Sequence, residues 1–162
     1  MRMLDVSPDD EILEIGCGPG VAVSLVCERL AGGRITAIDR SATAIQRAAE
    51  RNADHLASGT AVLLQIDLAD LALTGQSFDK VFAINVNLFW VRPAGAELER
   101  IKELLRPGGV LHLVYETPGE EQAGRVAEAA TAALANHGFG TRVTTAGPPS
   151  LFCVTGRPAQ RS

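Results

Sequence analysis

The stretch Glu14-Ile15-Gly16-Cys17-Gly18-Pro19-Gly20 decides the fold of this chain. It follows a short apolar-rich run at residues 11–13, and a helical pattern begins directly after it, at Val21. A strand, a glycine turn and a helix in this order are typical of the opening of a βαβ nucleotide-binding unit. Glycine has no Cβ, so it accepts positive φ and lets a ligand approach the main chain closely. The following helix directs unpaired N–H groups at whatever lies over the turn.

The spacing of the glycines separates two kinds of nucleotide-binding turn. Gly16, Gly18 and Gly20 form G-x-G-x-G. The dinucleotide fingerprint G-x-G-x-x-G instead needs a third small residue at position 21, which is Val21 here. The segment resembles motif I of the class I S-adenosylmethionine-dependent methyltransferases, which is commonly written E/D-x-G-x-G-x-G.

Length and composition limit the class of protein. A chain of 162 residues with 46% apolar residues predicts one domain over residues 1–162, with residues 1–10 as a short lead-in. No apolar run approaches the ~20 residues of a membrane span, and the N-terminus lacks the hydrophobic stretch of a signal peptide. A net charge of −4 without a basic cluster disfavours nucleic acid as a partner. Three widely spaced cysteines match neither a disulfide framework nor a zinc site. We therefore predict a cytoplasmic protein with no membrane partner and no metal site.

Predicted strands and helices alternate along the chain. The strands cover residues 11–15, 34–38, 61–66, 78–84 and 110–115, and the helices cover about 20–31, 42–57, 94–105 and 120–136. Two final strands, about 140–145 and 150–156, are joined through Gly147-Pro148-Pro149 as an antiparallel hairpin. The alternation predicts an α/β fold with one doubly wound, mostly parallel sheet and helices on both faces. The hairpin resembles the reversed last strand of class I methyltransferases, which implies the strand order 3-2-1-4-5-7-6 and an antiparallel C-terminal strand.

Carboxylates stand at the ends of two predicted strands, where ligands of open α/β sheets bind. Asp39, nineteen residues after Gly20, can accept two hydrogen bonds from a ribose diol, although an ordinary charge at a helix N-terminus is the alternative. The resemblance implies that Asp39 binds the ribose and that Asp67 accepts from the adenine amino group. Asp70 is a weaker alternative for the adenine contact and is expected to be solvated. The resemblance also places Glu14 at the acidic position of motif I, often linked to the methionine end of the cofactor. Capping of the loop is the alternative for Glu14.

The resemblance covers about residues 10–157, including the loop Arg106-Pro107-Gly108-Gly109-Val110-Leu111 before the fifth strand. It implies S-adenosylmethionine as cofactor and S-adenosylhomocysteine as product. The cofactor-binding residues that it implies are Glu14, Gly16, Cys17, Gly18, Pro19, Gly20, Asp39, Arg40, Asp67, Leu68 and Asn85.

The acceptor side is expected beyond the fourth and fifth strands. Methyl transfer from a sulfonium is an in-line displacement, so positioning can supply about 7–11 kcal/mol of the rate enhancement. We predict that Asn85, Trp90 and Tyr115 are the catalytic residues and act by positioning; for Trp90, plain packing is an equal alternative. His112 lies between apolar neighbours and is predicted to be a satisfied core histidine.

We predict S-adenosylmethionine-dependent methyl transfer to a small-molecule acceptor. An NAD-type oxidoreductase is disfavoured by Val21, Asp67 and the terminal hairpin, and a non-catalytic cofactor-binding module or partner subunit is the other alternative. Many small-molecule methyltransferases carry helices before the first strand that cover the acceptor pocket, whereas about ten residues precede it here. We therefore expect an open site, a truncated chain, or a homodimer or partner subunit that covers the site.

Overall fold

The computed structural model describes residues 2–72, 75–91, 93–148 and 150–160. Its strands form one sheet in the order β3-β2-β1-β4-β5-β7-β6. These are β1 (Glu11–Ile15), β2 (Arg34–Asp39), β3 (Ala61–Gln65), β4 (Phe78–Ile84), β5 (Leu105–Glu116), β6 (Phe139–Thr145) and β7 (Leu151–Pro158). The first five strands run parallel, and β7 runs antiparallel to both β5 and β6. The predicted fold class, strand order and reversed terminal strand are confirmed; Pro149 of the predicted hairpin turn lies outside the described residues.

The helices pack on both faces of the sheet. Within the described residues they are α1 (Val21–Cys27), α2 (Ala42–Arg51), α3 (Ala53–Ala57), α4 (Leu88–Val91), α5 (Gly95–Leu104) and α6 (Glu120–Asn136). Side chains alternate between the two faces along each strand. On β1, Leu13 packs into the core beneath α4, α5 and α6, while Ile12 packs into the core beneath α1 and α2. On β4, Val81 and Phe82 divide between the two cores in the same way.

Two helices are shorter than the sequence predicts. α1 ends at Cys27 rather than near residue 31, because the N–H groups of Ala31 and Gly33 donate to the Pro8 carbonyl at 2.8 and 3.0 Å. The helix predicted over residues 42–57 is broken at Asn52, whose φ of −111° and ψ of 27° are not helical. The Ser41 N-cap is confirmed, since its side chain accepts from the Ala44 N–H at 3.2 Å. The break at Asn52 lies directly behind the glycine turn.

Candidate functional site

A cleft of about 340 Å³ lies at the carboxyl ends of β1, β2, β3 and β4. It is lined by Ile15, Gly16, Ile38, Asp39, Arg40, Ile66, Asp67, Leu68, Val86 and Leu88. The strand order reverses at β1, which has β2 on one side and β4 on the other. Ligands of doubly wound sheets bind at this switch point, and the volume is within the ~300–1,000 Å³ of small-ligand pockets.

The glycine turn is held by hydrogen bonds within the chain. The N–H groups of Gly16 and Cys17 both donate to the Ile38 carbonyl, at 2.9 and 3.0 Å. The Gly18 N–H donates to Asp39 Oδ2 at 2.9 Å, and the Gly20 N–H donates to the Cys17 carbonyl at 3.1 Å. These four amides therefore shape the turn rather than point unpaired at a ligand.

Backbone conformation favours glycine at all three positions of the turn, and space requires it at Gly16. Gly16, Gly18 and Gly20 have φ values of 70°, 52° and 83°, in the left-handed region that favours glycine. A Cβ at Gly16 would lie 2.9 Å from Val86 Cγ2. A Cβ at Gly18 would have no heavy atom within 4 Å, so the turn is open on that side. A ligand can therefore approach the main chain at Gly18.

Asp39 lies at the end of β2, where it both lines the cleft and fixes the turn. Its Oδ2 accepts from the Gly18 N–H at 2.9 Å, and its Oδ1 accepts from the Ser41 N–H at 2.9 Å. A carboxylate has about four lone-pair sites, so two acceptor positions remain for a ligand. The carboxylate is thus oriented by the main chain before any ligand binds.

Asp67 and Arg40 lie on the rim of the same cleft. Asp67 Oδ2 is 3.9 Å from Arg40 Nη1, and the two side chains are 42% and 80% exposed. Asp67 Oδ1 makes a long contact of 3.5 Å with the Ala69 N–H at the start of a short 3₁₀ helix. An exposed ion pair of this kind contributes little to stability. The carboxylate of Asp67 therefore remains accessible at the end of β3.

Glu14 is buried beneath the turn on β1. It is 2% exposed, and its Oε1 has no hydrogen-bond partner within the described part of the chain. Burial, and secondly the negative charge of Asp39, raise the pKa of Glu14 to about 8. Burial also raises the pKa of the neighbouring Cys17 thiol to about 12, with further contributions from Glu14 and Asp39. Both groups are mainly protonated at neutral pH.

Asn85 joins the ends of β4 and β5 beside the cleft. Its φ of 54° is left-handed, a conformation that asparagine tolerates better than most residues. Its Oδ1 accepts from the Glu116 N–H at 2.9 Å, and its own N–H donates to the Val114 carbonyl at 2.8 Å. The side chain is therefore used to connect two strand ends.

Tyr115 and Trp90 lie behind this connection. Tyr115 is buried, packs against Phe152 with the rings tilted by 34° and their centroids 5.7 Å apart, and donates its hydroxyl to the Val86 carbonyl at 3.1 Å. Burial raises its phenol pKa above the usual range. Trp90 is half-buried against the same core, and its Nε1 has no partner among the described residues. Tyr115 thus contacts the cleft wall through Val86.

The structure brings some of the predicted residues together and separates others. Of the predicted cofactor-binding set, Gly16, Asp39, Arg40, Asp67 and Leu68 line the cleft, whereas Glu14, Cys17, Gly18, Pro19, Gly20 and Asn85 do not. Trp90 and Tyr115 also lie outside its lining. Apart from Leu68, sequence analysis did not identify the apolar lining residues, although their positions next to the predicted strand-end residues were a usable signal; these are Ile15, Ile38, Ile66, Val86 and Leu88.

In the part of the chain that the structure describes, we also considered a buried histidine, metal-binding groups and membrane-spanning helices. His112 is buried, as predicted, but its Nε2 has no hydrogen-bond partner among the described residues, so it is not a fully satisfied core histidine. Burial, followed by the positive charges of Lys80 and Arg157, lowers its pKa to about 4. No group of three or more His, Cys, Asp or Glu side chains in these residues could hold a metal ion. None of the helices described here has the length and apolar character needed to cross a membrane.

A doubly wound sheet with a glycine turn and two strand-end carboxylates around one cleft defines a Rossmann-like nucleotide-binding domain. Residues 12–109 match the family model described as a methyltransferase domain. The chain belongs to the Rossmann-like family of S-adenosylmethionine-dependent methyltransferases. This family uses S-adenosylmethionine as its methyl donor.

Relatives of known name support the assignment to this family. Trans-aconitate 2-methyltransferase of Paracidovorax citrulli is 32% identical over 126 residues, covering 77% of this chain and 46% of that protein. Nocamycin O-methyltransferase of Saccharothrix syringae is 35% identical over 120 residues, covering 73% of this chain and 42% of that protein. The chain thus spans less than half the length of these relatives.

Solved structures share the fold. A SAM-dependent methyltransferase from Aquifex aeolicus superimposes with a TM-score of 0.80 at 18% identity, covering 96% of this chain and 85% of that one. A complex of DhpI with SAH superimposes with a TM-score of 0.77 at 24% identity, covering 99% of this chain and 82% of that one.

Proposed function

We propose that residues 1–162 form one S-adenosylmethionine-binding domain that transfers a methyl group to a small-molecule acceptor. The observation that carries the proposal is the cleft at the switch point, where the carboxylates of Asp39 and Asp67 stand at the ends of neighbouring strands. The relatives named as methyltransferases of trans-aconitate and nocamycin support a small acceptor. The three unpaired cysteines fit a reducing cytoplasm.

The residues of the cleft fit an adenosyl group. Asp39 is oriented by two main-chain N–H groups and retains acceptor sites for a ribose diol. Ile38, Ile66 and Leu68 supply apolar surface for a base. Asp67, which follows β3, would accept from an exocyclic amine in this proposal.

The glycine turn favours this cofactor over a dinucleotide. A pyrophosphate is bound by main-chain N–H groups that have no partner in the protein. Here the amides of Gly16, Cys17, Gly18 and Gly20 all donate within the chain. These four amides are therefore not available to a pyrophosphate, which suits a cofactor without phosphate groups.

When bound, the cofactor would supply an electrophilic methyl group on a sulfonium. The contribution of the chain is positioning, which is worth about 7–11 kcal/mol in well-oriented reactions. Tyr115 holds the Val86 carbonyl, and Val86 in turn packs over Gly16 in the cleft. Asn85 fixes the distance between the ends of β4 and β5. We propose that Tyr115 and Asn85, with Trp90, order the wall of the cleft that faces the acceptor. We also propose that a second copy of the chain or a partner subunit covers this wall.

Titration calorimetry with S-adenosylhomocysteine and with NAD tests the cofactor assignment. We expect S-adenosylhomocysteine to bind wild-type protein and NAD to bind weakly or not at all. Asp67→Asn should weaken S-adenosylhomocysteine, because the amide retains one acceptor and loses the charge. Asp70→Asn is the matched control, since Asp70 lies three residues away, is exposed and does not line the cleft.

Transfer of a radiolabelled methyl group to small carboxylic acids, phenols and amines tests catalysis. Turnover of any of these acceptors supports an enzyme. Binding of S-adenosylhomocysteine without turnover of any acceptor would support the alternative of a non-catalytic module. Tight binding of NAD with no response to S-adenosylhomocysteine would contradict the proposal itself.

A further inference from the structure

The residue that separates α2 from α3 is a buried amide with every polar atom paired. Asn52 is 1% exposed. Its Nδ2 donates to the Gly20 carbonyl at 3.0 Å and to the Ala48 carbonyl at 3.0 Å. Its Oδ1 accepts from Ser24 Oγ at 2.7 Å. A buried amide is costly unless it is hydrogen-bonded, and this one is bonded mainly to the glycine turn and the helix that follows it.

The side chain of Asn52 also fills the space beside the last glycine of the turn. A Cβ at Gly20 would lie 2.7 Å from Asn52 Nδ2 and 2.9 Å from Ala48 Cβ. Gly20 has a φ of 83°, which an L side chain rarely adopts. The close approach and the positive φ both require glycine at this position.

A second contact from α2 holds the preceding peptide. Arg51 Nε donates to the Pro19 carbonyl at 3.2 Å. Two successive carbonyls of the turn, at residues 19 and 20, are therefore held by two successive residues at the end of α2.

The opposite end of α2 is tied to the same turn. Ser41 caps α2, and its N–H donates to Asp39 Oδ1 at 2.9 Å. Asp39 Oδ2 accepts from the Gly18 N–H at 2.9 Å. Helix α2 thus contacts the turn through Asp39 at its start and through Asn52 at its end.

We infer that Asn52 is a positioning residue for the cofactor, acting through the glycine turn. The inference rests on the proposed function, because it assumes that the turn receives the cofactor. Asn52 fixes the Gly20 carbonyl and thereby holds the turn in its left-handed conformation before the ligand arrives. Preorganisation of this kind increases affinity by removing an ordering cost from the binding step.

Asn52→Asp is the sharpest variant, since it preserves the shape of the side chain. It replaces the Nδ2 donor with an oxygen that faces the carbonyl oxygens of Gly20 and Ala48. We expect the affinity for S-adenosylhomocysteine, measured by calorimetry on the full chain, to fall by about tenfold. Ser24→Ala is the milder variant: it removes the hydroxyl that donates to Asn52 Oδ1 and that also lies 3.3 Å from the Gly20 carbonyl oxygen. It should weaken binding by about two- to fivefold.

Val126→Ala is the control for a general loss of stability. Val126 is 1% exposed in the core beneath α6, on the face of the sheet opposite α2. This variant should lower the thermal midpoint and leave the affinity within twofold of wild type. Equal loss of affinity in Val126→Ala and Asn52→Asp would show that Asn52 acts only through stability and would overturn the inference.

Amide hydrogen exchange in ligand-free protein gives a readout that does not depend on binding. The Gly18 and Gly20 N–H groups should exchange faster in Asn52→Asp and Ser24→Ala than in wild type, when compared with the amides of β1 and α1 in the same protein. Exchange rates at Gly18 and Gly20 that do not change in this comparison would overturn the inference. Wild-type protein that does not bind S-adenosylhomocysteine refutes the proposed function and the inference with it. Wild-type binding that both variants leave within twofold refutes the inference alone.

Discussion

Replacement of Glu14 with glutamine should stabilise the protein increasingly as the pH rises. The folded-state pKa of Glu14 is raised to about 8 from an ordinary value of 4.5, chiefly by burial. The folded protein therefore holds a proton that the unfolded chain releases between these pH values. Stability from this group is fully present below pH 4.5 and is lost as the pH rises towards 8. The neutral glutamine has the same shape and no such loss.

The expected magnitude follows from the linkage between proton binding and folding. One pKa unit corresponds to about 1.4 kcal/mol, so the stability of Glu14→Gln relative to wild type should increase by about 2 kcal/mol between pH 5.5 and 7.0. The pH dependence of wild-type stability is less informative on its own. His112, whose pKa is lowered to about 4, makes stability fall as the pH drops below about 6.5, and it partly cancels the Glu14 slope.

Urea unfolding of wild type and Glu14→Gln at pH 5.5, 6.0, 6.5 and 7.0 measures this difference. Val126→Ala provides the control, because it introduces no change in titratable groups and its difference from wild type should not vary with pH. A Glu14→Gln difference that is constant across the series would refute the reasoning, since Glu14 would then titrate alike in the folded and unfolded states.

Three further outcomes are expected. Asp39→Ala should weaken S-adenosylhomocysteine by about ten- to hundredfold in calorimetry, because hydrogen bonds to a charged acceptor are lost. Gly20→Ala should lower the urea midpoint much more than Gly18→Ala, because its Cβ meets neighbouring atoms at 2.7 Å whereas the space at Gly18 is open to 4 Å. Tyr115→Phe should cost about 1 kcal/mol in urea unfolding, because its hydroxyl donates to a main-chain carbonyl, and it should reduce methyl transfer once an acceptor is found. Unchanged turnover in that variant would leave Tyr115 with a structural role only.

Much of the fold could be predicted from the sequence because its signals are local. The apolar run of β4 and the alanine-rich helix at residues 120–136 fall within one residue of their predicted limits. The order of the strands came from the resemblance to a family, and the comparisons agree with it. The carboxylates of Asp39 and Asp67 lie in the cleft because the last residues of parallel strands meet at one edge of the sheet.

The contacts that complete the site could not be predicted, because they join residues distant in sequence. The apolar pattern over residues 42–57 favours one continuous helix, yet Asn52 leaves the helix to bond Gly20, 32 positions earlier. Val86 packs over Gly16, which is 70 positions earlier in the chain. Local sequence preferences do not predict either contact. The protonation of Glu14 depends in the same way on burial by the assembled sheet.

Two residues at the carboxyl edge of the sheet conflict with local preference. Asn85 has a positive φ, and Glu14 is a carboxyl group in the core. Asp5 is another non-glycine residue with positive φ among those described, and it precedes β1 in the chain. Features of this kind cost stability and persist where function requires them. If the carboxyl group of Glu14 serves the cofactor, Glu14→Gln should stabilise the protein at neutral pH and weaken S-adenosylhomocysteine. If Glu14→Gln is more stable than wild type and binds S-adenosylhomocysteine with the same affinity, the buried carboxyl group has no part in cofactor binding.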